Sequence, residues 1–446
     1  MKRILLLQPP LEDFYTTPIR LYPLGLSYAA GIMEDAENQV RILDCLAPPK
    51  KSRRPLPSGF SYLEPYLRDP LFFRGYFRFG LSEPEILSRS AAFEPDWIGI
   101  SSQFTAYYQS VHELAARLKE RLSVPIFIGG NHATAFPEEI LKRTPAVDFV
   151  LSGPAEDCLP DFLASRGMAG EGAGKVDWKR IRPAHHLLEP GAYRMGKRNY
   201  ISLGASRGCP FACEFCSVHR MFGKSIVYRA VGAVIEEMRW SYVHKEARIF
   251  NFEDDNFSYD RTWIMEFLGA VARDPVLRDI ELTAMNGLCY STLDEEVLSA
   301  MRRAGFRDIN LSLVTRSPVL REAYRRPRPK ERFEDLIRVA RRLGFFITVY
   351  VIIGIPGQTF AEIKDSIDYL LGLGVLVGPS VFYPAPGSPL YEELTRGGNV
   401  RFDWNSHRSS AFAVETPGLS RKQLVDLFLY VRRKNLERKR VGRAGD

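Results

Sequence analysis

Short apolar runs recur along most of the chain, each closed by small or turn-forming residues and followed by a helical stretch. That alternation permits little besides parallel sheets covered by helices. The first set comprises Ile4 to Leu7, Val40 to Leu43, Trp97 to Ser101, Ile126 to Ile128 and Phe149 to Leu151. Helices are predicted from Pro23 and Gly25 through Met33 and over Gln109 to Arg121. A second set comprises Ile201 to Leu203, Arg248 to Phe252, Glu281 to Ala284, Ile309 to Leu313, Thr348 to Ile353 and Ser380 to Phe382. Small, flexible residues from Gly167 to Lys175 separate the two, as a linker would. The predicted fold class is α/β: a doubly wound, Rossmann-like domain over 1–165, a linker over 166–195, a partial (β/α)6 barrel over 196–400 and a short basic helical C-terminal extension over 401–446. Ala47 to Gly80 has no clean period and reads as an insertion of loop and short helix.

Composition sets further limits. A chain of 446 residues with 45% hydrophobic and 26% charged residues is neither disordered nor low in complexity, and has room for two or three full cores. The longest uncharged run, Tyr369 to Tyr391, is broken by Gly372, Gly374, Gly378, Gly387 and four prolines, so no membrane span is expected. The amino terminus carries only a brief apolar stretch and no cleavage site, which argues for a cytoplasmic protein. The net charge of +8 is concentrated at Arg421 to Asp446, with nine Lys or Arg against three acids. Leu424, Leu427, Phe428 and Val431 recur there at helical spacing, which favours an amphipathic helix packed on the domain over a nucleic-acid contact.

Of six cysteines, Cys209, Cys213 and Cys216 fall together as CxxxCxxC directly after the second set's first strand. Three thiolates suit three corners of a cubane and leave the fourth iron with an open position. A zinc site would need a fourth ligand, for which His219 is available, although the spacing is not that of a usual finger. The reading favours an iron–sulfur cluster and keeps zinc as the alternative.

With Phe215 before the third cysteine, the motif resembles that of the radical SAM superfamily. The resemblance implies a 4Fe-4S cluster whose open iron is chelated by S-adenosylmethionine, reductive cleavage to a 5'-deoxyadenosyl radical, and an external one-electron reductant of the flavodoxin or ferredoxin type. It further implies that Glu253, Asp254 and Asn256, in Phe252-Glu253-Asp254-Asp255-Asn256-Phe257, meet the methionine amine, and that Gly354 and Ile355, in Gly354-Ile355-Pro356-Gly357, approach the adenine. Pro384-Ala385-Pro386-Gly387-Ser388-Pro389-Leu390-Tyr391 is similar to the segment that closes many such barrels. At Leu311-Ser312-Leu313-Val314-Thr315-Arg316 the Glu usual in relatives is missing, leaving Ser312 and Thr315 for a ribose contact. Arg321, Arg325, Arg326 and Arg328 read as a solvated basic helix end rather than an anion site.

A doubly wound domain ahead of such a barrel resembles the cobalamin-binding-type domain of the cobalamin-dependent radical SAM group. The matching segments are Pro23-Leu24-Gly25-Leu26, Ser101-Ser102, Gly129-Gly130-Asn131-His132-Ala133-Thr134 and Ser152-Gly153-Pro154-Ala155-Glu156-Asp157. They imply cobalamin against Ser101, Ser102, Gly129, Gly130 and Gly153, between the two domains and beyond the strand ends. The Asp-x-His-x-x-Gly signature of cobalt ligation is absent, the last loop has Gly-Pro-Ala-Glu where relatives have Gly-Glu-Gly-Glu, and His132 reads as a surface or hydrogen-bonded residue.

The function expected is hydrogen abstraction from an unactivated carbon of a small molecule or biosynthetic intermediate, with methyl transfer through cobalamin: a C-methyltransferase. The alternatives are a cobalamin-independent radical SAM enzyme catalysing epimerisation, cyclisation or dehydration, and, more remotely, an iron–sulfur redox sensor or electron carrier. No residue is assigned as a catalytic acid, base or hydrogen donor.

Overall fold

The computed structural model describes residues 1–17, 22–47, 50–169, 176–327, 332–396 and 403–443. Its amino-terminal sheet is parallel and has five strands: β1 (Arg3–Gln8), β2 (Gln39–Asp44), β3 (Trp97–Ser101), β4 (Ile126–Gly129) and β5 (Phe149–Leu151). Their order across the sheet is β2-β1-β3-β4-β5, so the winding direction reverses between β1 and β3. At such a switch point the loops leave a crevice beyond the carboxyl ends of the strands. The apolar runs are continuous because both faces are covered. Leu5, Leu7, Ile98, Ile100, Ile126 and Ile128 share a core with Leu114 and Leu118 of the helix Tyr108–Leu122. Ile4 and Leu6 point the other way, into a core with Leu26 and Met33 of the helix Leu24–Asp35 and Leu159 and Leu163 of the helix Ala155–Ser165.

The second set of strands is β6 (Arg198–Leu203), β7 (Ala247–Phe252), β8 (Glu281–Thr283), β9 (Asp308–Val314), β10 (Phe346–Ile353) and β11 (Leu376–Val381). β6, β7 and β8 pair in parallel, as do β9, β10 and β11. Parallel bridges at Leu282–Phe306 and Leu288–Leu311 join the two groups into one curved wall. β11 begins four residues before its predicted start and runs through Gly378 and Pro379. A proline lacks the N–H a central strand needs but is tolerated at an edge.

One sequence reading changes. The Ala47–Gly80 insertion is not only loop and short helix: Lys51–Arg54 and Tyr76–Phe79 form an antiparallel sheet with Leu11–Asp13. Lys51–Arg54 is fully exposed, so it carries no apolar alternation, and the third strand comes from far upstream. The insertion's Phe72 and Phe73 pack on Phe412 and Phe428, with ring centroids 5.4 to 6.3 Å apart. Phe428 belongs to the C-terminal helix Arg421–Arg443, which buries Leu424, Val425, Leu427 and Val431 as an amphipathic helix should. Its Asn435 side chain accepts from the Val377 N–H (3.2 Å) and donates to the Val377 carbonyl (2.8 Å), covering the otherwise open edge of β11. The core of the expected linker, 170–175, and the expected barrel boundary near 400 lie outside the described residues. Among the described residues, no helix is long and apolar enough to cross a membrane.

Candidate functional site

The loop after β6 carries Cys209, Cys213 and Cys216. It is entered through Gly208, at φ +82, where a Cβ would lie 2.1 Å from the Ser225 carbonyl oxygen. No other residue fits there. The Gly208 N–H donates to Asp255 (3.1 Å), the Glu214 N–H to the Tyr324 carbonyl (3.3 Å), and the Leu390 N–H to the Glu214 carbonyl (2.8 Å). The barrel-closing segment therefore fastens directly onto the cysteine loop. Two sulfurs receive side-chain donors: Asn256 Nδ2 lies 3.6 Å from Cys209 Sγ and Arg326 Nη1 3.6 Å from Cys213 Sγ. Burial pushes the Cys216 thiol up to about 12 and raises that of Cys209, so negative charge enters this site together with a metal.

His219 Nε2 lies 2.8 Å from the Cys209 carbonyl oxygen. A carbonyl only accepts, so this nitrogen carries the proton and has no lone pair for zinc. Among the described residues no three His, Cys, Asp or Glu side chains converge on one ion position. A cubane asks for no such convergence, because each thiolate holds its own iron. The donor set on this loop, three thiols with N–H donors aimed at two of them, fits a 4Fe-4S cluster.

The acidic segment at the end of β7 divides by role. Glu253 accepts from Asn251 (2.6 Å) and faces the space between the domains. Asp254, expected at a cofactor, is turned into the chain instead, where its carboxylate accepts the N–H groups of Ala205 (3.1 Å) and Ser206 (2.5 Å) and the Ser206 hydroxyl (2.6 Å). It pins the strand end that launches the cysteine loop. Burial, partly offset by the bonds from Ser206 and Ala205, raises its pKa from 3.8 to about 7. A folded-state pKa above the unfolded value means that stability is present in full below pH ~4 and is lost as pH rises to about 7. Urea unfolding of cofactor-free protein should show that slope in the wild type and a flatter one in Asp254→Asn. Asn256 is 2% exposed and its Oδ1 is buried with no partner. A buried acceptor beside the first thiol suits a hydrogen-bond donor on a bound ligand.

Three further segments singled out in the sequence have these surroundings. The N–H groups of Gly354 and Ile355 both donate to Gln358 Oε1, at 2.9 and 3.1 Å, which fixes the turn. Phe215 packs with Tyr324, Ile355, Phe382 and Leu390 in a small apolar cluster beneath the cysteines. Ser312 sits where β9 slips register against β10, and its carbonyl accepts from Arg326 Nη2 (2.9 Å). Arg326 is thus not part of a solvated helix end. Arg325 remains exposed and pairs with Glu214 (2.8 Å), and Arg328 lies outside the described residues.

Between the domains lies a cleft of about 280 Å³, open to solvent. The carboxyl ends of the amino-terminal strands supply Gln8, Ser101, Gly129, Gly130 and Gly153 to one wall. The barrel supplies Ser206, Arg207, Phe222, Glu253 and Asp255 to the other. Ser102, grouped with these from sequence, lies behind the wall at 1% exposure, its carbonyl accepting the His132 N–H (3.0 Å). His132 is not a surface residue: it is fully buried, bonds Thr105 (3.2 Å) and packs edge-on against Trp404 of the C-terminal extension. Burial lowers its pKa to about 3, keeping the ring neutral.

The walls are tied by a pair the sequence reading missed. Glu156, in the first turn of Ala155–Ser165, forms a buried ion pair with Arg207, whose guanidinium lies 3.8 Å over the Trp178 ring. Neither partner is distinguishable from a surface charge in sequence, because the acid and the base belong to different domains.

Known proteins match both halves. The radical SAM superfamily matches residues 204–370, and the B12 binding domain matches residues 16–163. The cytidylyl-2-hydroxyethylphosphonate methyltransferase of Streptomyces wedmorensis is 27% identical, over 94% of this chain and 86% of that protein. An uncharacterized methyltransferase of Pyrococcus horikoshii is 26% identical, over 87% of this chain and 82% of its own. Among solved structures, the radical S-adenosylmethionine methyltransferase TsrM of Kitasatospora setae, determined with tryptophan substrate and an S-adenosylmethionine analog, aligns with a TM-score of 0.66 at 17% identity, over 97% of this chain and 89% of that one. It shares the fold, with an α/β domain before the barrel.

Proposed function

We propose that this chain, a member of the radical SAM superfamily with a B12-binding domain ahead of its barrel, is a cobalamin-dependent C-methyltransferase acting on a small-molecule or biosynthetic-intermediate substrate. The observation that carries this reading is the cleft, where the carboxyl ends of the Rossmann-like sheet and of the barrel face one another. A 4Fe-4S cluster and S-adenosylmethionine supply a carbon-centred radical in such enzymes, and cobalamin supplies a methyl group. Methyltransferases among the relatives support the same assignment.

The chain's own residues divide the work. Cys209, Cys213 and Cys216 hold the cluster, and Asn256, through its unpaired oxygen, meets a donor on the adjoining ligand. Asp254 fixes the loop rather than touching a cofactor. Ser101, Gly129, Gly130 and Gly153 let a flat ligand approach backbone on the amino-terminal side. Glu253 faces that ligand from the barrel. The domains are 1–165, 196–400 and 401–446, joined by 166–195. In this reading the enzyme draws single electrons from a flavodoxin- or ferredoxin-type donor and works in the cytoplasm.

The test is product analysis of anaerobically reconstituted protein reduced in the presence of S-adenosylmethionine and cobalamin. Both 5'-deoxyadenosine and S-adenosylhomocysteine are expected. Formation of 5'-deoxyadenosine alone would overturn methyl transfer and leave a cobalamin-independent radical enzyme, and formation of neither would leave an electron carrier.

A further inference from the structure

A cation under the cysteine loop has no part in the function proposed above. After the short helix Pro318–Ala323 the chain passes through Arg325 at φ 50, and Arg326 turns its guanidinium back into the barrel. Its two terminal nitrogens make different bonds: Nη1 reaches Cys213 Sγ at 3.6 Å and Nη2 reaches the Ser312 carbonyl at 2.9 Å. The neighbouring Arg325 is matched by Glu214 at 2.8 Å. Among the described residues, by contrast, no carboxylate lies within ion-pair distance of Arg326. A half-buried guanidinium whose side-chain partners are a carbonyl and a thiol is short of negative charge.

The carbonyl that anchors it lies at a strained point. β9 slips register between Ser312 and Val314, and Val314 stands at φ +70. A β-branched residue rarely adopts that conformation, and the strain persists only where the surroundings enforce it. The Ser312 N–H pairs with the Leu288 carbonyl (3.0 Å) in the parallel Leu288–Leu311 bridge, and the Ser312 carbonyl accepts from the guanidinium. Strand end, arginine and cysteine loop form one linked unit.

We propose that Arg326 is a positioning residue for the iron–sulfur cluster, holding the Cys213 sulfur by charge and raising the cluster's reduction potential. The inference rests on the cluster assignment above. One-electron reduction makes a cluster more negative, and a fixed cation hydrogen-bonded to a ligand sulfur stabilises that state more than the oxidised one. The effect is larger away from bulk water, where charges are less screened. The electron comes from the external reductant, and no bond is made or broken at Arg326.

The experiment compares full-length wild type, Arg326→Lys and Arg326→Gln after anaerobic reconstitution, without S-adenosylmethionine. It reads iron content and a potentiometric titration followed by electron paramagnetic resonance of the reduced cluster. Arg326→Gln is expected to lower the ratio of reduced to oxidised cluster at least tenfold at a fixed potential, ~59 mV for one electron. Arg326→Lys should restore most of that difference. Loss of iron from Arg326→Gln with retention in Arg326→Lys would equally support the charge. An unchanged titration in Arg326→Gln, an equal shift in both variants, or loss of iron from Arg326→Lys would overturn it. Absence of iron from the wild type would instead remove the cluster assignment itself, so the two failures are read from different arms.

Discussion

Replacing Cys209, Cys213 and Cys216 together by Ala is expected to reduce bound iron to background and to abolish 5'-deoxyadenosine formation, while the protein stays folded. The loop does not depend on the thiols for its shape. Gly208, Glu214 and Leu390 hold it through backbone bonds to Asp255, Tyr324 and the loop itself. Arg326 keeps its bond to Ser312 when the Cys213 sulfur is gone. The remaining cysteines, Cys45, Cys158 and Cys289, are not gathered with any other candidate ligands among the described residues. Iron analysis and chromatographic assay of 5'-deoxyadenosine check the result together. A triple variant that still holds a full cluster would contradict the assignment.

Gly129→Leu should weaken cobalamin binding by at least ~100-fold, the equivalent of ~2.7 kcal/mol, without changing iron content. Gly129 ends β4 on the cleft wall, and a Cβ built there meets nothing nearer than Leu151 at 3.8 Å. The backbone therefore accepts a side chain, and the added atoms occupy space a macrocycle needs. Gly130 behaves differently. At φ +118 a Cβ would lie 2.8 Å from the Ser102 carbonyl oxygen, so Gly130→Ala strains the fold itself. Titration of each purified variant with hydroxocobalamin, followed by absorbance and paired with thermal unfolding, separates the two. Wild-type affinity in Gly129→Leu would move the ligand away from this wall.

Both sheets were legible in the sequence because buried parallel strands are apolar on both faces and end in small residues, as Ile126 to Gly130 illustrates. The cysteine loop was legible because its three ligands lie within eight consecutive residues. Long-range contacts were not. The strand Lys51–Arg54 pairs through its backbone with Tyr76–Phe79 while its side chains stay exposed, so no pattern marks it. Arg326 reads as one of several neighbouring arginines, and only the folded chain brings it to the Cys213 sulfur and the Ser312 carbonyl. Asp254 reads as a cofactor contact alongside Glu253, because sequence does not tell which of two adjacent acids points into the chain.

One chain is expected to hold an iron–sulfur cluster and cobalamin on facing walls of a single cleft. Metal analysis of anaerobically purified and reconstituted protein, after removal of unbound cofactors, tests it most directly, because iron and cobalt are read from the same sample. Four irons and one cobalt per chain are expected, with a broad iron–sulfur absorption superimposed on corrin bands. Iron without cobalt at saturating hydroxocobalamin would contradict it, and the cleft would then belong to another ligand.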